Sequence, residues 1–171
     1  MDTRGFLEKV VAWDCLGSIA ICWQQPGGSW RTIWCSTIDS VLTAVDNLKS
    51  GKCNIYFSLA KFDIENDNKR TAENAVALRS IFFDMDVEAG NPKKYDTIRQ
   101  AVDAVFCFCQ AVGIPFPSFV VVSGSGIHVY WCSYITLSKD EWFVYATALK
   151  RAAFNYGLKF DAGVTTDAAR V

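Results

Sequence analysis

At 171 residues the chain can bury one substantial core, or two small subdomains that share one, so a single compact domain is expected. A composition of 51% apolar, 14% aromatic and 20% charged residues excludes a disordered chain, and no apolar run reaches the roughly 18 residues of a membrane span. The net charge of −1 counts mildly against a large phosphate footprint built on excess Lys and Arg, so any template contact should be local or weak.

The N-terminus mixes charges into Met1-Asp-Thr-Arg-Gly-Phe-Leu-Glu-Lys9 and lacks a basic leader with an apolar stretch, so neither secretion nor a membrane partner is expected. Seven cysteines, an odd number without a Cys-x-x-Cys pair, point to a reduced, cytoplasmic compartment rather than a disulfide framework.

In chain order, a helix is expected near residues 3–14. The apolar runs Ile19–Trp23 and Trp30–Cys35 flank Pro26-Gly27-Gly28 and read as a hairpin. Ile38, Val41, Leu42, Val45 and Leu48 form a helical stripe over 38–49, closed by Ser50-Gly51. Asn54–Ala60 reads as a strand, and polar Asp63–Glu73 as the best candidate for a mobile loop. Ile81-Phe82-Phe83 then runs into Asp84-Met85-Asp86-Val87, a buried strand with an acidic end. A helix over 95–112 ends at Gly113 and Pro115. Strands over 118–122 and 128–131 are joined by the turn Ser123-Gly-Ser-Gly126. Ser138 and Glu141 form a capping-box pattern opening a helix to about Tyr156, and Leu158–Val164 reads as a last short strand. The chain is thus α+β: a ferredoxin-like βαββαβ unit over 78–171 beside a smaller α/β unit over 1–77.

Asp84 and Asp86 are two residues apart on a strand and share a face, so their carboxylates repel unless a cation lies between them. Mg²⁺ or Mn²⁺ is the natural partner, since hard divalent ions bridge carboxylates to substrate phosphates. An exposed acidic strand end is the alternative reading of the pair. His128 is the only histidine, which excludes His-x-His nucleases and His-rich zinc sites. Ser123-Gly-Ser-Gly126 is an ordinary hairpin turn by itself. With His128 and the carboxylates on the same sheet it becomes a candidate phosphate cradle, in which Ser123 and Ser125 can donate hydroxyls. Asp161 could complete a three-acid metal site, and Arg170 could hold a triphosphate through its planar fork. Lys69, Arg70 and Arg79 could extend that set of charges, and Tyr130 or Trp131 could face a base. The other Trp and Phe residues read as packing.

The order of these motifs resembles the archaeo-eukaryotic primase superfamily, specifically phage and plasmid primase-polymerases. The match is an apolar strand ending in Asp84-x-Asp86, a Ser-Gly-x-Gly-x-His turn and strand ending at His128, and an apolar-Asp161-x-Gly-Val segment. It covers about residues 54–171. The resemblance implies an α/β unit packed against an RRM-like unit, with Asp84, Asp86 and Asp161 binding two divalent metals and His128 contacting nucleotide phosphates. Ser123, Ser125 and Arg170 follow as looser nucleotide contacts. The implied activity is a DNA primase or polymerase that adds NTP or dNTP to a 3′-hydroxyl on single-stranded or primed DNA, in a bacterial cell or phage-infected host. Some relatives carry Ser two positions before the His, where this chain has Gly126, and related sequences continue beyond residue 171. A longer replication protein, with a helicase or further domain, is therefore expected. The rival readings are a haloacid-dehalogenase-type phosphatase, in which Asp84 would attack phosphate, and a non-catalytic RRM-like nucleic-acid-binding or replication-initiator module.

Overall fold

Helix α1, Thr3–Val10, starts where Asp2 accepts the Gly5 amide at 2.8 Å, and it buries Leu7 and Val10. It stops four residues short of the expected end because Val11 is extended and both the Val11 amide and the Trp13 indole bond the Leu7 carbonyl. The computed structural model describes residues 1–51, 53–65 and 68–170. Asn66 and Asp67 of the expected 63–73 loop, and Val171, lie outside the described residues.

The described residues form two compact units: those of 1–79 with Ser133–Asp140 and 168–170, and Ser80–Cys132 with Glu141–Asp167. In the first unit, β1 (Ile19–Gln24) is flanked by antiparallel β2 (Arg31–Cys35) and β3 (Asn54–Phe57). As the central strand it is the most apolar, with Ile19 to Cys22 all buried. Helix α2, Ile38–Lys49, opens with a reciprocal capping box between Thr37 and Ser40, and Val41 and Ala44 are buried. The strand expected to reach Ala60 ends at Phe57, and the buried Ser58 hydroxyl takes over the edge bond by accepting the Ala20 amide at 2.9 Å. β4 (Lys61–Phe62) buries a lysine whose ammonium donates to the Gly17 and Ser36 carbonyls at 2.9 and 3.1 Å, over the Trp13 ring. Burial pushes the pKa of that ammonium below the ordinary lysine value.

The second sheet has the order β4-β5-β7-β6. Its β5 (Ala75–Asp86) and β7 (Gly126–Ser138) are longer than expected, and each contributes residues to both units. β6 (Phe119–Val122) pairs antiparallel with β7. Helix α3, Ile98–Val112, begins where Thr97 accepts the Gln100 amide and ends at left-handed Gly113. It starts later than residue 95 because Tyr95 is bridged to Val87 instead. Helix α4 spans Lys139–Tyr156.

The second unit's core joins Phe83 and Met85 of β5, Val105 and Phe108 of α3, Ile127 and Val129 of β7, and Ala153 of α4. Phe83 lies at its centre, 4.5 Å from the Phe160 ring and 5.1 Å from the Trp131 ring. The expected strand at 158–164 does not form. The segment makes one ladder-like bond, Asp161 N to Asp84 O at 2.8 Å, and then turns as Asp161 Oδ1 accepts the Gly163 amide at 2.8 Å. A carboxylate that bonds its own backbone two residues on favours a turn over a strand. The α+β class holds, and β5-β7-β6 keep the order expected of the first three ferredoxin-like strands; the expected fourth strand is reduced to a single backbone contact, and the fourth strand of the sheet is β4.

Candidate active site at the end of β5

Strand alternation sorts the residues. Phe83 and Met85 enter the core, which leaves Phe82, Asp84 and Asp86 on the opposite face of β5. On β7, Ile127, Val129 and Trp131 pack with the core, and His128 and Tyr130 take the other face. That face gathers the candidate residues. His128 Nε2 stands 3.6 Å from Asp84 Oδ1, and Tyr130 stacks on Phe82 with ring centroids 6.0 Å apart.

Trp131 is thereby removed as a base platform: it packs on Phe83 and donates its indole N–H to the Pro115 carbonyl. Tyr130 is buried, and its ring meets Phe82 rather than a base. Its hydroxyl lies 3.4 Å from His128 Nδ1. Burial, and then the Asp84 charge, push the phenol pKa far up, so it remains a donor. If the phenol donates to Nδ1, the imidazole proton lies on Nε2, the nitrogen that faces Asp84; with the other tautomer Nδ1–H donates to the phenol oxygen.

The turn before His128 holds the two strands together. Gly124, at φ +96°, occupies the first central position of the two-residue connection, and Ser123 N bonds Gly126 O at 3.0 Å. Ser125 O then accepts the Val87 amide at 2.8 Å, one residue past Asp86. The need for glycine is sharpest at Gly126: a Cβ there would sit 2.3 Å from Met85 O and 2.9 Å from Asp86 Cα. This explains why a serine cannot stand at this position. Ser123 and Ser125 are exposed at the tip of the turn.

Two residues that the motif reading passed over complete the site. Lys94 Nζ lies 3.2 Å from Asp86 Oδ2 and 3.0 Å from Glu88 Oε2. Extending the carboxylate alternation by one step, from 84 and 86 to 88, would have found Glu88. The adjacent Lys93-Lys94 pair in an Asn-Pro turn was the signal for the cation. Asp86, Asp161, Phe160, Lys93, Lys94 and Lys159 line a cavity of about 200 Å³. Arg170, Lys69, Arg70 and Arg79 belong to the first unit, where Arg79 pairs with Asp14 at 3.5 Å.

The donor set suits a hard divalent ion: carboxylate oxygens only, on one face, with side chains 32% exposed at Asp84 and 52% at Asp86. As the side chains stand, no three His, Cys, Asp or Glu residues among those described are gathered tightly enough to grip an ion. Lys94 instead supplies the positive charge at Asp86.

A solved structure shares this fold. The AEP domain of the cyanophage S-2L primase-polymerase (PrimPol) matches with a TM-score of 0.57 and 19% sequence identity, over 90% of this chain and 70% of that one. At that identity the likeness is one of fold. No family model matches the sequence, and no curated protein does.

Proposed function

We propose that the chain is the nucleotidyltransferase core of a primase-polymerase, adding NTP or dNTP to a 3′-hydroxyl on a DNA template. One observation carries the reading: three segments far apart in sequence meet at one strand end. Asp84 of β5 has His128 of β7 at 3.6 Å and the main chain of Asp161 at 2.8 Å from its carbonyl. The shared fold with a primase-polymerase domain supports the same reaction class.

In this reading Asp84, Asp86 and Asp161 would hold Mg²⁺ or Mn²⁺, which would supply neutralisation of charge on the transferring phosphoryl group. His128 donates its Nε2 proton to a phosphate oxygen of the nucleotide. Ser123 and Ser125 sit at the tip of the adjoining turn as further phosphate donors, and Arg170 is a candidate triphosphate contact. The 3′-hydroxyl attacks the α-phosphate, pyrophosphate leaves, and the protein contributes position and preorganised charge. Single-stranded or primed DNA is the template, and a helicase is the expected partner.

The test is primer extension with labelled nucleotides and Mn²⁺ or Mg²⁺. Asp84→Asn and Asp86→Asn should each lower the rate by about 100-fold or more, and Asp161→Asn should do likewise. Extension that survives both Asp84→Asn and Asp86→Asn would overturn the reading. Phosphate release from a monoester would favour the phosphatase instead, and DNA binding without extension or hydrolysis the non-catalytic module.

A further inference from the structure

Lys94 is held close to Asp86 by its own stretch of backbone. Glu88 N bonds Tyr95 O at 2.9 Å, Asn91 N bonds Glu88 O at 3.1 Å, and Lys94 N bonds Asn91 O at 3.0 Å, so the chain from 88 to 95 closes on itself. Gly90 N donates to Asp96 Oδ1 at 2.8 Å and pins the far side. Lys159 then fastens this turn to the Asp161 segment: its ammonium donates to Lys94 O at 2.9 Å, and its amide to the Tyr95 hydroxyl at 3.2 Å.

The anchor of Lys94 is thus rigid, while its ammonium sits on a flexible stem that is 33% exposed. Its two carboxylate partners differ. Glu88 also accepts from Asn91 Nδ2 at 3.0 Å and keeps that partner if the lysine leaves. Asp86 belongs to the proposed metal set.

An ammonium 3.2 Å from Asp86 Oδ2 and a divalent ion on the same carboxylate repel each other strongly, so the two compete for it. The adjoining cavity offers the displaced ammonium a destination. Its walls bring three lysines against two aspartates, a balance suited to a polyphosphate once a metal has neutralised the carboxylates.

We propose that Lys94 is an exchangeable internal cation: it holds Asp86 in the ligand-free protein, yields to the divalent ion, and then takes a phosphate oxygen of the nucleotide. The inference rests on the function proposed above and adds a residue to it. Metal entry and phosphate capture become one coupled step, in which the charge that guards the carboxylate is reused on the substrate.

Two titrations of the full chain test this, comparing wild type, Lys94→Met and the charge-matched Lys93→Met. In the first, free Mn²⁺ is followed by electron paramagnetic resonance without nucleotide. Lys94→Met should bind Mn²⁺ about two- to fivefold more tightly, the scale of an exposed ion pair. In the second, dATP binding at saturating Mn²⁺ should weaken about tenfold, the scale of a lost hydrogen bond to a charged group. Lys93→Met should produce less than half of either shift on a logarithmic scale, which separates exchange from loss of a positive charge.

Unchanged Mn²⁺ affinity in Lys94→Met, or equal shifts in Lys93→Met, would overturn the exchange while leaving the proposed function in place. Asp84→Asn and Asp86→Asn are measured alongside. If they leave the wild-type Mn²⁺ affinity unchanged, the metal site itself fails, and the exchange with it.

Discussion

His128 is the sole histidine of the chain, and its Nδ1 lies 3.4 Å from the hydroxyl of a buried phenol whose ring is stacked on Phe82. Tyr130→Phe keeps that stacking and removes the donor to Nδ1. We expect extension activity to fall about three- to tenfold, the range for one hydrogen bond, with little change in melting temperature. The decisive measurement is spectroscopic. With one imidazole in the protein, its ¹⁵N resonances report the tautomer without overlap: Nε2–H in wild type, and loss of that preference in Tyr130→Phe. An unchanged tautomer in the variant would show that Tyr130 does not position the ring. The opposed roles of Tyr130 and Trp131 were implicit in strand alternation, because neighbouring residues on a strand cannot face the same way. Glu88 and Lys94 were legible only as an alternation and a basic pair, because a contact between a strand end and a later turn has no sequence period.

Among the elements, the β6–β7 turn shows how close backbone approach limits side-chain choice. Gly126 has an ordinary φ, so the cost of a side chain there comes from steric overlap with the Met85 carbonyl and not from backbone strain. Gly126→Ala should destabilise the protein by about 2–3 kcal/mol through overpacking, measurable by denaturant unfolding. It should also lower activity, because the overlap falls on the backbone between Met85 and Asp86. A variant of wild-type stability would refute the close approach. Periodicity located α2, the β1–β2 hairpin and the β6–β7 pair, but it understated both long strands. The first half of β5 was obscured by Arg79-Ser80, polar residues within the strand, where the buried Ser80 carbonyl accepts the Trp142 indole N–H at 2.9 Å. At 158–164 the apolar residues favoured a strand, whereas Asp161 and Gly163 supplied a turn.

For the whole molecule, charge bears on the proposed binding of DNA. A net charge of −1 leaves little general attraction for phosphates, so in the proposed function affinity for DNA is expected from local basic groups. Binding of single-stranded DNA should therefore depend only modestly on salt, with a slope of log K against log salt shallower than about −3. A steeper slope in a fluorescence-anisotropy titration would reveal a larger basic surface than the local groups provide. The fold class was readable because buried and exposed positions alternate with the right periods, a pattern that tolerates wide sequence change. Agreement in fold at 19% identity with the cyanophage domain is consistent with that tolerance. The assignment of residues to the two units was less legible, since β5 and β7 each supply both.

The contact between Asp161 and Asp84 is made by main-chain atoms, an amide and a carbonyl. Position and chemistry at residue 161 are therefore separable. Asparagine there keeps the amide and changes only the charge of the side chain, whereas proline removes the amide that docks the segment. Comparing the two substitutions isolates what the carboxylate does from what the docked backbone does, a distinction that side-chain truncation at Asp84 or Asp86 does not offer.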